Sequence, residues 1–374
     1  MRIVADENLP GVLEAFAHLG QVCTYPGRAI GPDEVREAQV LLVRSITRVD
    51  RRLLQGSRVR FVGSATVGTD HVDLAYLRRA GIAFAHAPGS STQAVAEYVL
   101  AAVLKLARLS GQWPQGWTAA VIGCGRIGER VARWFEQLGL SVLRCDPPRK
   151  EAGEQGFVPL REALGAQLVT FHVPLYRARR HATWHLLNER RLRWLRPDVW
   201  LLNTSRGAVF DGRALCRWLR GHPEAHVVLD VWEGEPCVDP DLLRRVRLGT
   251  PHIAGHSLEA RLRAVEALYR AACAHFGYEP TWSPEAHLPE AGQISLSSGR
   301  PLWEALADLV HAVYDPGPDD QALRAVFALP PGERCAYFDR LRRTYKPRRE
   351  FSAYRVRAPE VLTKLLSFLG FRPP

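Results

Sequence analysis

The sequence predicts an α/β protein: two doubly wound parallel-sheet units followed by a small C-terminal α+β unit. Three observations carry that expectation. Short apolar runs alternate with helix-patterned stretches through residues 1–95, and the same alternation starts again near residue 119. Around residues 278–300 the composition then shifts to Pro, Gly and Ser, which reads as a linker before a last stretch rich in arginine and aromatics. At 374 residues the chain is longer than one typical domain, so a division into several units is expected.

The elements follow in order. Ile3-Val4-Ala5, Leu41-Leu42-Val43 and Arg60-Phe61-Val62 read as strands of a sheet covered on both faces. From Thr92 to Leu109 the residues Val95, Val99, Ala102, Val103 and Leu106 recur at helical spacing, so a long helix leads out of the first unit. Ala119-Ala120-Val121-Ile122 is a buried strand, and Val131, Trp134, Phe135 and Leu138 form the stripe of the next helix. Strands at Leu140–Asp146, Leu168–Phe171, Val199–Leu202 and Val227–Leu229 complete the second unit. The expected division is 1–95, completed by about 256–280, then 96–255, then 281–374. In the last unit Leu302, Leu306, Leu309, Val310 and Val313 fall at near-helical spacing.

Composition narrows the class. Hydrophobic residues make up 47% and charged residues 24%, as in a soluble globular protein. No apolar run reaches the roughly 18 residues of a membrane span, and the acidic pair in the N-terminal MRIVADENLP argues against export, so a cytoplasmic protein is expected. The seven cysteines are Cys23, Cys124, Cys145, Cys216, Cys237, Cys273 and Cys335. Their odd number and the lack of any CxxC predict neither a disulfide framework nor a metal site. The net charge of +11 is mostly arginine interspersed with acids, which reads first as a compositional bias toward arginine and otherwise as a cleft for an anionic small molecule that needs only a few of them, and it gives no reason to expect nucleic acid.

One loop points to a cofactor. Gly123-x-Gly125-x-x-Gly128 lies between a strand and a helix. There the first glycine permits a tight turn, the second lets the backbone approach a pyrophosphate, and the third lets helix and strand pack closely. The helix N-terminus offers unpaired N–H groups to the phosphates. Asp146 ends the next strand about twenty residues on, where an acid accepts from ribose hydroxyls and repels a 2′-phosphate. The cofactor expected is NAD in a Rossmann-like domain.

Three further motifs each follow an apolar strand or turn: Asn203-Thr204-Ser205-Arg206-Gly207-Ala208, Leu229-Asp230-Val231-Trp232-Glu233-Gly234-Glu235-Pro236, and Thr250-Pro251-His252-Ile253-Ala254-Gly255. Taken singly, Arg206, Glu235 and His252 are unremarkable polar residues. In this order, after this glycine loop, the chain resembles the D-isomer-specific 2-hydroxyacid dehydrogenase family. The resemblance implies that Arg206, Glu235 and His252 are catalytic. His252 would take the hydroxyl proton as hydride leaves C2, Glu235 would orient the imidazole and stabilise its charged form, and Arg206 would hold the substrate carboxylate. Glu233, two residues from Glu235, is the competing carboxylate, and the motif favours Glu235.

The N-terminal DENLP, Leu42-Val43-Arg44-Ser45-Ile46-Thr47, the run Phe61–Asp73 and Cys145-Asp146-Pro147-Pro148 resemble one branch of that family. Its members oxidise 4-phospho-D-erythronate to 2-oxo-3-hydroxy-4-phosphobutanoate in pyridoxal 5′-phosphate synthesis, and they carry a C-terminal dimerisation domain. The likeness covers the whole chain, including Val310–Asp315 and Arg348-Arg349-Glu350-Phe351. It implies a homodimer, with Asp146, Val173, Thr204, Ser205, Arg206, Asp230 and Gly255 lining the cofactor. Ser45 and Thr66 would contact substrate, Arg44 would meet its phosphate, and His256 would replace the branch's usual tyrosine. Ser90-Ser91 also stands where that branch commonly has Cys-Asn. The alternatives are a dehydrogenase for another D-2-hydroxy acid, such as 3-phosphoglycerate or glycerate, and a non-enzymatic NAD-sensing scaffold. The complete Arg206, Glu235 and His252 set speaks against the scaffold.

Overall fold

Ile3, Val4 and Ala5 are fully buried at the centre of β1 (Arg2–Asp6), and the first sheet is built outward from them. In this computed structural model the described residues are 1–374 except Arg179, Ala291, Ser297 and Ser298, and the side chain of Val361 is also left out. Part of the expected 278–300 linker therefore lies outside the described residues. The chain forms two compact units, the first comprising residues 1–91 and 256–290 and the second residues 92–255 and 291–374.

In the first unit β2 (Gln21–Tyr25), β3 (Val40–Val43), β4 (Phe61–Ser64) and β5 (Ala83–His86) join β1 in the order β2-β1-β3-β4-β5, all parallel. β2 and β5 are edge strands that are only partly buried. Their apolar signal is weak, and the sequence pattern did not announce them. The returning helix Leu258–Phe276 is capped by Ser257, whose side chain accepts from the N–H of Ala260. It buries Val265, Leu268, Tyr269 and Ala272 in one core with Ile3, Ala5, Val40, Leu42 and Phe61. Strand order reverses between β1 and β3, and in such sheets ligands bind at that reversal.

The second unit holds β6 (Thr118–Ile122), β7 (Ser141–Cys145), β8 (Leu168–Phe171), β9 (Trp200–Asn203), β10 (His226–Leu229) and β11 (Leu248–Gly249), in the order β11-β10-β9-β8-β6-β7. Here the reversal falls between β6 and β8. The Thr92–Ser110 helix is buried on nearly all sides, as its almost continuously apolar sequence requires. Among the described residues no helix is long and apolar enough to cross a membrane.

Residues 291–374 cluster with 92–255 in one unit. Strands β12 (Gln293–Ser295) and β13 (Arg355–Arg357) pair in parallel. The Leu302–Val313 helix buries Leu306, Leu309 and Val310 in the same core as Val99, Val103 and Leu106. Most of this apolar stripe is thus covered within its own chain, and it is not by itself a sign of a second copy. Arg348 is buried and donates to the carbonyls of Ala94 at 2.8 Å, Ile253 at 3.1 Å and Ala254 at 2.6 Å, with its guanidinium 4.4 Å from the Tyr314 ring centroid. Those carbonyls compensate the desolvated charge.

The cysteines correct the expectation of no disulfide. Cys237 and Cys335 are bridged, with Cα atoms 4.4 Å apart and a sequence separation of 98. An odd count excludes only complete pairing and the CxxC spacing tests only local pairs, whereas this pair is assembled by the fold. Four of the five free cysteines are buried.

Candidate active site

The glycine loop has the geometry its spacing predicts. Gly123 takes φ +88°, and a Cβ there would stand 2.6 Å from Val173 Cγ1 and 2.8 Å from the His172 carbonyl oxygen. A Cβ at Gly128 would lie 2.0 Å from the Gly123 carbonyl oxygen, so helix and loop touch backbone to backbone. Gly125, the N-cap of the Arg126–Gln137 helix, has nothing within 4 Å of where its Cβ would be. That open approach beside a helix N-terminus fits a dinucleotide pyrophosphate.

Asp146 follows β7 directly. One carboxylate oxygen accepts from the Cys124 N–H at 2.8 Å and the other from the Arg149 N–H at 3.3 Å, so the acid is fixed beside the loop. Val173 and Thr204 are brought to the same end of the sheet. Thr204 Oγ1 is 3.2 Å from His172 Nδ1, and Thr170 Oγ1 is 3.0 Å from His172 Nε2. Burial drives the His172 imidazole down to about 3, so it is neutral at ordinary pH. Thr170 and His172 shape this end of the sheet, although no motif singled them out, and Asn203, which opens one of the motifs, joins them. Asn203 accepts from the N–H and hydroxyl of Ser205 and donates to the carbonyl of Arg206 at 3.1 Å.

Glu235 and His252 meet: His252 Nδ1 is 2.8 Å from Glu235 Oε2, and Glu235 Oε1 accepts from the Trp232 N–H at 2.7 Å. Burial pushes the Glu235 carboxyl up, but His252 beside it, Arg342 and the Trp232 N–H more than offset this and hold it below the usual range. The competing Glu233 is committed elsewhere. It contacts His185 Nε2 at 2.6 Å and accepts from the Gly212 N–H at 3.1 Å.

His252 sits at φ +56°, a left-handed conformation that a non-glycine residue adopts only when its surroundings enforce it. Asp230 provides the enforcement. Its carboxylate is buried and accepts from the Ile253 N–H at 2.7 Å, the Ala254 N–H at 2.9 Å and the Thr250 hydroxyl at 2.7 Å. Tyr98 Oη lies 2.6 Å from Thr250 Oγ1, and the Trp232 indole donates to the Thr250 carbonyl at 2.9 Å. Gly255 ends this loop. Arg206 donates to the Ser205 carbonyl at 2.9 Å. Its neighbour Gly207 presses on the Glu235 loop, since a Cβ there would lie 1.9 Å from the Trp232 carbonyl carbon. The loops carrying Arg206 and Glu235 therefore approach each other backbone to backbone.

In the first unit Arg44 and Ser45 follow β3, and Thr66 lies just past β4, its neighbour strand. Thr66 Oγ1 is 2.8 Å from Ser64 Oγ and donates to the Gly68 carbonyl at 2.8 Å. Arg44 Nε is 3.0 Å from Oδ2 of Asp6, which is fully buried at the end of β1, so this ion pair spans the strand-order reversal. Sequence reasoning missed Arg261 in the first turn of the Leu258–Phe276 helix. Burial and the neighbouring Arg44 lower its guanidinium to about 10 against the opposing pull of Asp6, and it donates to the Asn8 carbonyl. His256 opens the returning segment, one residue before the Ser257 cap.

With the geometry in place, comparison with known proteins is decisive. Residues 82–254 match the family model of the D-isomer-specific 2-hydroxyacid dehydrogenase NAD-binding domain, and residues 287–370 match a domain of unknown function. The erythronate-4-phosphate dehydrogenase of Pseudomonas aeruginosa is 47% identical over 361 residues, which is 95% of each chain. That of Azotobacter vinelandii is 46% identical over the full length of both. The chain belongs to the erythronate-4-phosphate dehydrogenase family. Like the wider D-2-hydroxyacid dehydrogenases it is an NAD-dependent dehydrogenase acting on a hydroxy acid. The Aquifex aeolicus D-lactate dehydrogenase, solved with NAD and lactic acid, resembles it with a TM-score of 0.62 and 26% identity, covering 74% of this chain and 96% of that one. A Thermus thermophilus structure at 29% identity gives a TM-score of 0.64, covering 75% of this chain and 98% of its own. About a quarter of this chain thus lies beyond the part shared with these structures.

Proposed function

We propose that the chain oxidises 4-phospho-D-erythronate at C2 to 2-oxo-3-hydroxy-4-phosphobutanoate, a step in pyridoxal 5′-phosphate synthesis. The observation that carries the chemistry is the His252–Glu235 contact of 2.8 Å within a chain that shares 47% identity with erythronate-4-phosphate dehydrogenases over 95% of its length. NAD, when bound at the Gly123–Gly128 loop, supplies the acceptor for the C2 hydride. With Nδ1 held by Glu235, the imidazole offers Nε2 to the substrate hydroxyl and takes its proton as C2–O becomes a carbonyl. The Glu235 carboxylate stabilises the resulting imidazolium. Arg206 binds the substrate carboxylate and the oxygen that develops into the carbonyl.

Arg44, Ser45 and Thr66 of the first unit are assigned to the phosphate end, with His256 adding a donor. Gly123, Gly125, Gly128, Asp146, Val173, Thr204, Ser205, Asp230 and Gly255 are assigned to the cofactor. We also propose a homodimer, supported by the additional C-terminal segment that this family carries. The test is NADH formation with 4-phospho-D-erythronate, 3-phospho-D-glycerate and D-glycerate. The expected result is a kcat/KM highest for the first. A preference for either of the others replaces the substrate and leaves the chemistry intact.

A further inference from the structure

The Arg334–Arg343 helix of the C-terminal segment carries more than its own packing. Cys335, near its start, is bridged to Cys237, two residues beyond Glu235. Phe338, one turn on, is buried in the same core as Trp232, the residue whose N–H holds Glu235 Oε1. Arg342 lies seven residues from Cys335, two helical turns along, and so on the same face. It is only partly exposed, whereas Arg340 and Arg343 beside it are exposed. Its positive charge acts on the Glu235 carboxylate in the direction that keeps it ionised. The groups bearing on Glu235 are thus His252, the Trp232 N–H and Arg342, with buried Asp230 also interacting electrostatically with His252.

We propose that Arg342 is a positioning residue for the proton relay, acting through Glu235, and that the Cys237–Cys335 bridge is the tether that keeps Arg342 in place. The inference rests on His252 being the base. Without Arg342 the Glu235–His252 pair loses a neighbouring positive charge and holds its proton more tightly, so the neutral imidazole needed for oxidation forms only at higher pH. Breaking the bridge acts in the same direction. A dithiol such as dithiothreitol reduces the Sγ–Sγ bond by two successive thiol–disulfide exchanges, leaving two cysteine thiols and the cyclic oxidised reagent.

The test compares the pH profile of kcat/KM for the full-length wild type, Arg342→Met, Arg342→Lys, Cys335→Ser and dithiothreitol-treated wild type. His252→Gln is the reference. Arg342→Met should lower kcat several-fold and move the acid-side midpoint up by about one unit, with NAD binding retained. Arg342→Lys should restore most of both, and the two bridge-free enzymes should shift the same way as Arg342→Met. A wild-type midpoint in Arg342→Met or in the bridge-free enzymes overturns the proposal, as does a loss that Lys does not rescue. Should Arg342→Met not fold, Arg342→Gln takes its place. Full activity in His252→Gln would instead remove the assignment of the base, a separate failure.

Discussion

His252 Nδ1 stands 2.8 Å from Glu235 Oε2, while Glu233, two residues earlier, is turned to His185. Which carboxylate serves the relay is therefore decided by the loop, and mutation should separate the two. His252→Ala should cut turnover about a hundredfold or more, the usual scale for losing a general base, with NAD affinity unchanged. Glu235→Gln should lose much of kcat, and Glu233→Gln should leave it near wild type. Steady-state NADH formation with NAD titration by fluorescence checks all three. Full activity in His252→Ala at every pH would refute the relay.

Asp146 is held by the Cys124 and Arg149 N–H groups at the mouth of the glycine loop, where a cofactor ribose is expected. A 2′-phosphate would meet that carboxylate at close range. The wild type should therefore use NAD far better than NADP, and Asp146→Ser should narrow the gap. Equal kcat/KM for the two cofactors in the wild type would show that Asp146 does not discriminate.

Arg44 has two tasks to separate, because it also pairs with buried Asp6. Removing it alone strands a buried carboxylate, so the informative variant is Asp6→Asn with Arg44→Ala. That enzyme should lose roughly 1.5–3 kcal/mol of binding to 4-phospho-D-erythronate, the range for a hydrogen bond to a charged group. It should lose little toward D-erythronate. The ratio of kcat/KM values for the two compounds is the measurement, and an equal loss on both would remove Arg44 from the phosphate.

His172 gives a pH prediction with a definite sign. Burial holds it at about 3 in the folded chain, below the 6.5 of a free imidazole, so the unfolded chain binds the extra proton. Stability from this group is complete above pH 6.5 and is lost as pH falls toward 3. Between pH 6.5 and 5 the wild type should lose about 2 kcal/mol more than a His172→Gln variant, as read from urea midpoints. Parallel losses in the two proteins would place the titration elsewhere.

The proposed homodimer is checked by light scattering at micromolar concentration, where about twice the chain mass of 41.9 kDa is expected. A monomer would contradict it. The Leu302–Val313 stripe cannot decide the matter, since Leu306, Leu309 and Val310 are already buried against the chain's own core.

Much of this protein was legible from residue order alone. Gly123, Gly125 and Gly128 need their glycines for reasons local to one strand–turn–helix, so spacing suffices to read them. The strands β1, β3, β4 and β6 to β10 announce themselves as short apolar runs, while the edges β2, β5 and the two-residue β11 do not. The proposed roles of Arg206, Glu235 and His252 are suggested by three motifs taken together in order, not by any one of them.

Tertiary structure decided whatever depends on segments far apart in sequence. It turned Glu235 to His252 and Glu233 to His185. It holds His252 at positive φ through buried Asp230. It joined Cys237 to Cys335 across 98 residues and turned the Leu302–Val313 stripe inward. The physical reason is common to all four: the energy of a buried charge, a bridge or an apolar face is fixed by what packs on it, and no local pattern in the chain names that partner.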